Sequence, residues 1–216
     1  MKRKIGLFGG SFNPIHLGHL HLAKAVKRGL KLDGVLLMPA GNAPHKSSAA
    51  YVSAEHRAEM CRLAAEKYPW MKVSDYEIRK GGKSYTVETL RALTESDPET
   101  EWTLMIGSDM LLTFDKWYCW QEILRMASLC AVSRETGDMP ELMKKAEQLR
   151  KEVPGAEIRV LRAAAFPASS TEIREKLRNR EDCSCLLPEN VVQYIESRQL
   201  YQADEEREHH GQVGAE

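Results

Sequence analysis

The sequence has 216 residues, 43% of them hydrophobic, and its 31 Lys and Arg residues balance its 31 Asp and Glu residues. This length suits one domain with a buried core, and the zero net charge argues against a broad nucleic-acid-binding surface. No stretch approaches the roughly 18 continuous apolar residues of a membrane span, and the N-terminal apolar run is shorter than that of a signal peptide. We therefore expect a cytoplasmic protein that binds neither nucleic acid nor membranes.

Short apolar runs alternate with amphipathic stretches along the chain, which is typical of βαβ units and a parallel sheet. The apolar runs predict strands at residues 4–8, 34–38, 71–74, 103–106, 129–132 and 157–161. The amphipathic stretches predict helices at residues 17–28, 54–67, 87–94, 120–126, 140–151, 170–178 and 188–197. We expect a Rossmann-like α/β fold, an open parallel sheet with helices on both faces and a small helical C-terminal part. It forms a single domain over residues 1–201, followed by a charged, disordered tail at 202–216.

Small, polar and cationic residues follow most of the predicted strands. They occupy residues 9–11, 39–46, 107–109, 133–134 and 167–174. In an open parallel sheet, ligands bind beyond the carboxyl ends of the strands, so these segments should meet at one edge. The pattern predicts a nucleotide-sized site there.

Residues 9–19 read GGSFNPIHLGH. Glycine lacks the Cβ that would clash with an approaching phosphate, although the segment is neither a Walker A loop nor a Rossmann GxGxxG fingerprint. His16 and His19 are three residues apart, so they share a face near a helix start, where N–H groups and the helix dipole favour anions. The alternative is a tight turn with two surface histidines, and the paired histidines around Gly18 disfavour it.

This segment resembles the first signature of the nucleotidylyltransferase superfamily, GxFxPxH followed by xGH. The resemblance implies that His16 and His19 are catalytic, contacting the phosphates of ATP and stabilising the charge that moves onto pyrophosphate. It also implies that the loop before the histidines binds ATP. These loop residues are Gly9, Gly10, Ser11 and Phe12.

Residues 168–174, after the last predicted strand, read ASSTEIR. A serine at 169 with a glutamate three residues later is a capping box, which any helix start can use. The N–H groups of such a start can also hold a phosphate, with Arg174 one turn after Ser170 facing the same anion. The segment resembles the second superfamily signature, SSTxIR. The resemblance implies a catalytic Arg174 and ATP binding by Ser169, Ser170 and Thr171.

Four more stretches resemble the nicotinate-mononucleotide adenylyltransferase family. They are residues 42–46 (NAPHK), 84–90 (SYTVETL), 107–117 with its Gly-x-Asp and Lys-Trp pairs, and 133–137 (SRETG). The resemblance implies that Lys46 binds phosphate in ATP. It also implies a weaker ATP contact from Arg134, since the usual proline after this arginine is missing.

The same resemblance implies a set of residues that bind the pyridine nucleotide. They are Asn42, Tyr85, Thr86, Gly107, Asp109 and Trp117. Asp109 would hydrogen-bond a ribose and Trp117 would stack on the pyridine ring, whereas Trp120 is assigned to the core. A helix start capped by Ser84 or Thr86 is the plain structural explanation of the first of these segments, and both explanations can hold together.

The resemblance implies that the enzyme joins ATP and nicotinate mononucleotide, giving nicotinate adenine dinucleotide and pyrophosphate in NAD biosynthesis. Mg²⁺ carried mainly by ATP is the expected cofactor, no metal is expected to be held by the protein, and a homodimer is left open. The alternatives are transferases acting on nicotinamide mononucleotide, phosphopantetheine or a cytidine nucleotide. Further alternatives are a non-catalytic nucleotide-sensing module and a class I tRNA synthetase fragment.

Overall fold

A computed structural model describes residues 2–41, 51–133, 137–164 and 166–202. Three of the predicted site residues, Asn42, Lys46 and Arg134, lie outside the described residues. Residues 203–216 of the predicted tail also lie outside them, so the division into a domain at 1–201 and a tail stays a prediction.

In the described part of the chain, six strands form one sheet in the order β3-β2-β1-β4-β5-β6, and every neighbouring pair is parallel. The strands are β1 (Arg3–Gly10), β2 (Gly34–Pro39), β3 (Met71–Val73), β4 (Thr100–Gly107), β5 (Ala127–Ser133) and β6 (Ile158–Arg162). Each strand overlaps one predicted run, so the Rossmann-like fold is confirmed. The strand order reverses between β1 and β4, and sheets of this kind bind ligands at that reversal.

Helices connect the strands. They are α1 (Leu17–Leu30), α2 (Ala54–Ala65), α3 (Tyr76–Lys80), α4 (Thr86–Ser96), α5 (Ser108–Leu112), α6 (Trp120–Met126), α7 (Met139–Glu152), α8 (Ser170–Arg178) and α9 (Glu189–Ser197). The seven predicted helices are confirmed, and α6 and α8 have the predicted bounds. The short helices α3 and α5, and a 3₁₀ turn at Phe114–Lys116, were not predicted, because five residues or fewer carry too little helical periodicity.

The sheet is covered on both faces, which explains why its central strands are continuous apolar runs. Alternate residues of one strand face different cores: Phe8 lies in the core under α1, α2, α8 and α9, and Leu7 lies in the core under α4, α6 and α7. Met105 and Leu104 of β4 divide in the same way. Trp120 is 7% exposed and packs in the second core, which confirms its assignment.

The C-terminal part of the chain packs against the N-terminal βα unit. The Leu17 backbone N–H donates to the Leu186 carbonyl at 2.9 Å. Ile173 of α8 and Ile195 of α9 are buried in the same core as Phe8. This packing brings the two signature segments, more than 150 residues apart, to one edge of the sheet.

All five cysteines are free, and Cys61, Cys130 and Cys183 are buried. Burial raises the pKa of the Cys130 thiol to about 12, so this thiol stays protonated at neutral pH. Among the described helices, none combines the length and apolar character needed to cross a membrane.

Candidate active site

A cavity of about 450 Å³ lies beyond the carboxyl ends of β1 and β4, at the reversal of strand order. Its walls come from the end of β1, the loop that follows, the first turns of α1, the end of β4 and the short helix α5. The predicted site residues in these walls are Gly9, Gly10, Ser11, Phe12, His19, Gly107 and Asp109. A ligand in this cavity would therefore touch residues from both central strands.

The glycines of this edge serve two different purposes. A Cβ built at Gly9 would meet no atom within 4 Å, so the space beside this backbone is open to a ligand. A Cβ at Gly10 would lie 3.1 Å from the Phe12 ring, and one at Gly107 would lie 2.6 Å from Asp109 Oδ1. Gly9 thus allows close ligand approach, whereas Gly10 and Gly107 make room for neighbouring side chains.

The two predicted catalytic histidines lie against each other at the start of α1. His16 is the N-cap residue, and its backbone N–H donates to His19 Nδ1 at 3.2 Å. The ring centroids are 3.8 Å apart, and a Cβ at Gly18 would come within 2.9 Å of the His16 ring. Because Nδ1 of His19 accepts, a neutral His19 carries its proton on Nε2 and has a donor there. His16 is 4% exposed, whereas His19 lines the cavity.

The buried Phe12 ring packs against the His19 ring. It is 1% exposed and lies 5.1 Å from the His19 ring and 5.5 Å from the Phe8 ring, edge to face in both pairs. The φ of Phe12, 45°, is in the left-handed region, which is uncommon for a residue with a side chain. Burial of the ring holds this backbone turn, and with it the loop of residues 9–14, which we call the glycine loop.

Side chains from the C-terminal part hold the glycine loop. Ser170 Oγ donates to the Pro14 carbonyl at 3.0 Å, and the Arg174 guanidinium donates to the Asn13 carbonyl at 2.8 Å. The Tyr201 hydroxyl donates to Asn13 Oδ1 at 2.8 Å in a buried contact. The two signature segments therefore touch each other directly.

The start of α8 is capped as predicted, since Ser169 Oγ accepts from the backbone N–H of Glu172 at 3.1 Å. Arg174 also donates to Thr171 Oγ1 at 3.3 Å. Its guanidinium thus spans the start of α8 and the glycine loop. With five N–H groups, it has donors beyond these two contacts.

Arg57 of α2 is a residue of this site that the sequence interpretation missed. Its side chain is 1% exposed, and its guanidinium donates to the carbonyls of Ser11 at 2.7 Å, Gly41 at 2.8 Å and Val52 at 3.3 Å. A signal was present in the sequence, because Arg57 lies at helical spacing from the buried positions 60, 61 and 64. A cation on the buried face of a helix indicates a specific partner.

Two of the predicted pyridine-binding residues, Tyr85 and Trp117, contact aromatic rings near α4 and α6 and do not line the cavity that holds Gly107 and Asp109. The Tyr85 ring lies 4.9 Å from the Tyr118 ring, and the half-buried Trp117 ring lies 5.1 Å from that of Phe114. Tyr118 is 57% exposed, so the Tyr85–Tyr118 pair borders solvent. We call Tyr85, Tyr118 and the separately paired Trp117 the aromatic cluster. The cluster offers flat apolar faces of the kind that stack on a ring.

The predicted side-chain cap of this helix start is wrong. Tyr85 is the N-cap residue of α4, its side chain makes no capping hydrogen bond, and Thr86 is the first helical residue. Ser84 lies one residue too early to cap the helix, and Thr86 is already inside it. The N-cap side chain therefore does not compete with a ligand for the first backbone N–H groups of α4.

Glu77 of α3 was also missed by the sequence interpretation. Its carboxylate accepts from Thr89 Oγ1 of α4 at 2.7 Å, and this contact ties the two helices together. Burial raises the pKa of Glu77 above its usual value, against the lowering effect of the hydrogen bond from Thr89. The next helix start is therefore positioned by a partly buried carboxyl group.

The cytidylyltransferase-like family model matches residues 7–176 of the chain. A Lactococcus lactis protein named "Probable nicotinate-nucleotide adenylyltransferase" is 37% identical over 200 residues, covering 93% of this chain and 96% of the relative. A Clostridium perfringens protein of the same name is 38% identical and covers 94% and 100%. A solved Plasmodium falciparum nicotinic acid mononucleotide adenylyltransferase in complex with NaAD has a TM-score of 0.74 at 17% identity, covering 92% of this chain and 97% of the other. At that identity, the structural likeness supports the fold alone.

Proposed function

The chain belongs to the cytidylyltransferase-like family, as a nucleotidyltransferase related to the nicotinate-nucleotide adenylyltransferases, and from this premise we propose its reaction. It transfers the adenylyl group of ATP to nicotinate mononucleotide and releases nicotinate adenine dinucleotide and pyrophosphate, a step of NAD biosynthesis. The observation that carries this proposal is the contact of both signature segments beside one cavity at the strand-order reversal.

The chemistry needs no nucleophile from the protein. A phosphate oxygen of nicotinate mononucleotide attacks the α-phosphorus of ATP, a P–O bond forms, and the bond to the β-phosphate breaks with its electrons leaving on pyrophosphate. A phosphate is ionised at neutral pH, so a strong general base is unnecessary. Catalysis then depends on positioning the two substrates and on stabilising the charge that develops on the leaving group.

The triphosphate is assigned to the glycine loop and to α8. In this proposal His19 donates from Nε2 to the phosphates, and the buried His16 both holds His19 and contributes to the same anion site. Gly9, Gly10, Ser11 and Phe12 offer backbone N–H groups. Ser169, Ser170 and Thr171 offer the start of a helix, where N–H groups and the dipole favour anions.

Arg174 joins these two elements, and its remaining N–H groups are assigned to the leaving pyrophosphate. Lys46 and Arg134 keep their assignment as ATP ligands, on the strength of the sequence resemblance. These cations would neutralise the phosphates as their charge increases.

The pyridine nucleotide is assigned to the opposite wall of the cavity and to the aromatic cluster. Asp109 lines the cavity, where its carboxylate can accept from a ribose hydroxyl. Gly107 supports that placement, since any larger residue would displace the Asp109 carboxylate. Tyr85, Thr86 and Trp117 are assigned to the pyridine ring and its carboxylate, together with Asn42 from the sequence resemblance.

Mg²⁺ enters this proposal as part of the ATP complex, where it would act as a Lewis acid that stabilises the phosphate charge. Within the described ranges, no group of three or more His, Cys, Asp or Glu side chains could hold a metal ion. The phosphate oxygens of ATP would therefore supply most of the ligands.

The test is incubation of the purified protein with ATP, Mg²⁺ and each acceptor in turn, with the product identified by mass. We expect dinucleotide and pyrophosphate with nicotinate mononucleotide, at a higher kcat/KM than with nicotinamide mononucleotide. Product from phosphopantetheine or from a cytidine nucleotide instead would contradict the proposal. ATP binding without turnover on any acceptor would identify a nucleotide-sensing module.

Because ATP and nicotinate mononucleotide are charged and do not cross membranes unaided, we place the activity in the cytoplasm. All the assigned groups come from one chain, so the reaction needs no residue from a second subunit. A homodimer stays a prediction. Sedimentation of the purified protein would measure its oligomeric state.

A further inference from the structure

The carbonyl groups of the glycine loop are held by donors from three other segments, the end of β2, α2 and α8. The Gly10 carbonyl accepts from the Ala40 backbone N–H at 2.9 Å, and the Ser11 carbonyl accepts from Arg57 at 2.7 Å. The Asn13 and Pro14 carbonyls accept from the C-terminal side chains described above. In a trans peptide the carbonyl and the next N–H point in opposite directions. Fixing a carbonyl therefore also fixes the direction of the N–H that follows it.

The Ser11–Phe12 peptide is the unit of this loop that Arg57 controls. It is trans, since the cis peptide bond found among the described residues is Asn13–Pro14. With the Ser11 carbonyl bound by Arg57, the Phe12 N–H points away from Arg57. Ser11 and Phe12 both line the cavity. The left-handed φ of Phe12 shows that this peptide takes an orientation that local preference alone would not select.

Arg57 is suited to this task because its guanidinium is fully buried and, within the described ranges, forms no ion pair with a carboxylate. None of the ion pairs between residues of the described segments includes Arg57. Three backbone carbonyls and the face of the Tyr51 ring, 5.0 Å from the guanidinium carbon, surround it instead. Where carbonyl dipoles of the described residues compensate it, this buried cation still places positive charge behind the glycine loop, which favours an anion in front of the loop.

We propose that Arg57 is a positioning residue, which aims the Phe12 N–H at the phosphates of ATP by holding the Ser11 carbonyl from the opposite side. This inference rests on the proposed function and extends it to a residue that does not touch substrate. Its fork geometry matters as well as its charge, because a lysine ammonium cannot reach three carbonyls placed around a planar group.

The first test compares Arg57→Met, Arg57→Lys and the control Arg62→Met in the dinucleotide assay. Arg62 lies on the same helix but on the surface, paired with Glu59 and Asp75. Removing one well-aimed donor lowers turnover by about 10²–10³, and a donor that is only misdirected should lose less. We expect Arg57→Met to lower kcat/KM for ATP by about 10- to 100-fold, with a raised KM for ATP and an unchanged KM for nicotinate mononucleotide. Loss of folded protein alone would lower kcat and leave both KM values unchanged.

Arg57→Lys separates aim from charge and also serves if Arg57→Met fails to fold. Arg57→Lys keeps the positive charge but loses the planar guanidinium. We therefore expect a normal melting temperature together with a KM for ATP that is raised as in Arg57→Met. If Arg57→Lys has wild-type constants, charge alone is sufficient and the proposal is wrong. Wild-type constants for Arg57→Met, or equal losses in Arg62→Met, would also overturn it.

The second test observes the Phe12 amide directly and needs no acceptor. In ¹⁵N-labelled wild-type protein, titration with ATP and Mg²⁺ should shift the Phe12 amide resonance downfield, as expected for a new hydrogen bond. We expect that shift to be lost in the folded Arg57 variant and kept in Arg62→Met. An unchanged shift in the Arg57 variant would refute the positioning role even if the protein proved to act on another acceptor, so the two proposals can fail separately.

Discussion

The phosphate side and the pyridine side of the candidate site are built differently. On the phosphate side, the glycine loop is held by hydrogen bonds to its backbone carbonyls from α2, from α8 and from the β2 end, and its Asn13 side chain is bound by Tyr201. On the pyridine side, the Tyr85 ring contacts that of Tyr118, the Trp117 ring contacts that of Phe114, and Tyr118 is 57% exposed.

This difference is consistent with the ligand that we propose for each side. Phosphate oxygens must meet N–H groups at fixed distances and directions while charge moves, so the donors gain from being preorganised. A pyridine ring presents a flat face, and stacking tolerates sliding and tilting of the partner ring. We therefore expect substitutions on the phosphate side to lower turnover and substitutions on the pyridine side to raise the KM of the acceptor.

The largest effect should come from His19→Ala. His19 lines the cavity and offers a donor at Nε2, and loss of one such donor typically lowers turnover by about 10²–10³. His21 is the matched control, because it lies two residues further along α1 and therefore on another face of the helix. The measurement is the single-turnover rate of each variant. Unchanged far-UV circular dichroism spectra would show that both variants are folded. Near-normal turnover in His19→Ala would show that His19 does not contact the phosphates in the transition state.

Trp117→Ala tests the pyridine side and should have the second-largest effect. Stacking of a base on an aromatic ring contributes about 1–3 kcal/mol, so we expect the KM for nicotinate mononucleotide to rise about tenfold or more, with the KM for ATP unchanged. Trp120→Ala is the matched control: Trp120 is buried in the core, and its removal should lower the free energy of unfolding by about 3–5 kcal/mol. A Trp117→Ala variant that loses stability like Trp120→Ala, with an unchanged KM, would show that Trp117 is core.

Tyr201→Phe tests whether the C-terminal part stabilises the glycine loop. The variant removes the 2.8 Å hydrogen bond to Asn13 Oδ1, and we expect a loss of about 1 kcal/mol in the free energy of unfolding, with a several-fold lower kcat. Tyr194→Phe removes a bond of the same length, to His56 Nδ1 at 2.8 Å, away from the loop. Urea unfolding and steady-state kinetics should show similar destabilisation in both variants and a loss of turnover in Tyr201→Phe alone.

The smallest expected effect is a pH-dependent change in the stability of a Glu77→Gln variant. Because burial raises the pKa of Glu77 in the folded state above its usual value of 4.5, its contribution to stability is fully present below pH 4.5 and is lost as pH rises through the folded pKa. Glu77→Gln stays neutral and can still accept from Thr89, so it should gain stability relative to wild type as pH rises above 4.5.

Asp75→Asn gives the opposite sign and serves as the comparison. The Arg79 guanidinium donates to Asp75 and holds the pKa of that carboxyl below its usual value of 3.8, so this contribution to stability is present above pH 3.8 and lost as pH falls. Thermal melting from pH 2 to 8 measures both slopes. A Glu77→Gln difference that shrinks with rising pH would contradict the assigned burial.

Much of the phosphate side was readable from the sequence because its residues fall in short segments with local consequences. The GGSFNPIHLGH segment predicts a strand end, a loop and a helix start, and all three are present. Ser169 caps α8 as predicted, since capping depends on residues three positions apart. The roles assigned to Asn42, Lys46 and Arg134 stay predictions, because these residues lie outside the described segments.

Arg57, Tyr201 and Glu77 were missed for a physical reason. Arg57 reaches Ser11 across 46 positions of sequence, and Tyr201 reaches Asn13 across 188. No local pattern states which carbonyl or amide such a side chain will meet, because that depends on how the helices pack on the sheet. The short helices α3 and α5 were missed because their few residues carry no period of their own.

The order and kind of the main elements, and the two segments to which the chemistry is assigned, could be predicted from the sequence, because apolar period and residue type act over a few positions. Three contacts could not be predicted from local patterns and were seen only in the folded chain. β1 lies beside β4, α8 contacts the glycine loop, and the buried Arg57 guanidinium lies behind Ser11. These contacts form only after the two cores are packed, since burial of apolar surface brings distant segments together and the hydrogen bonds then select their geometry.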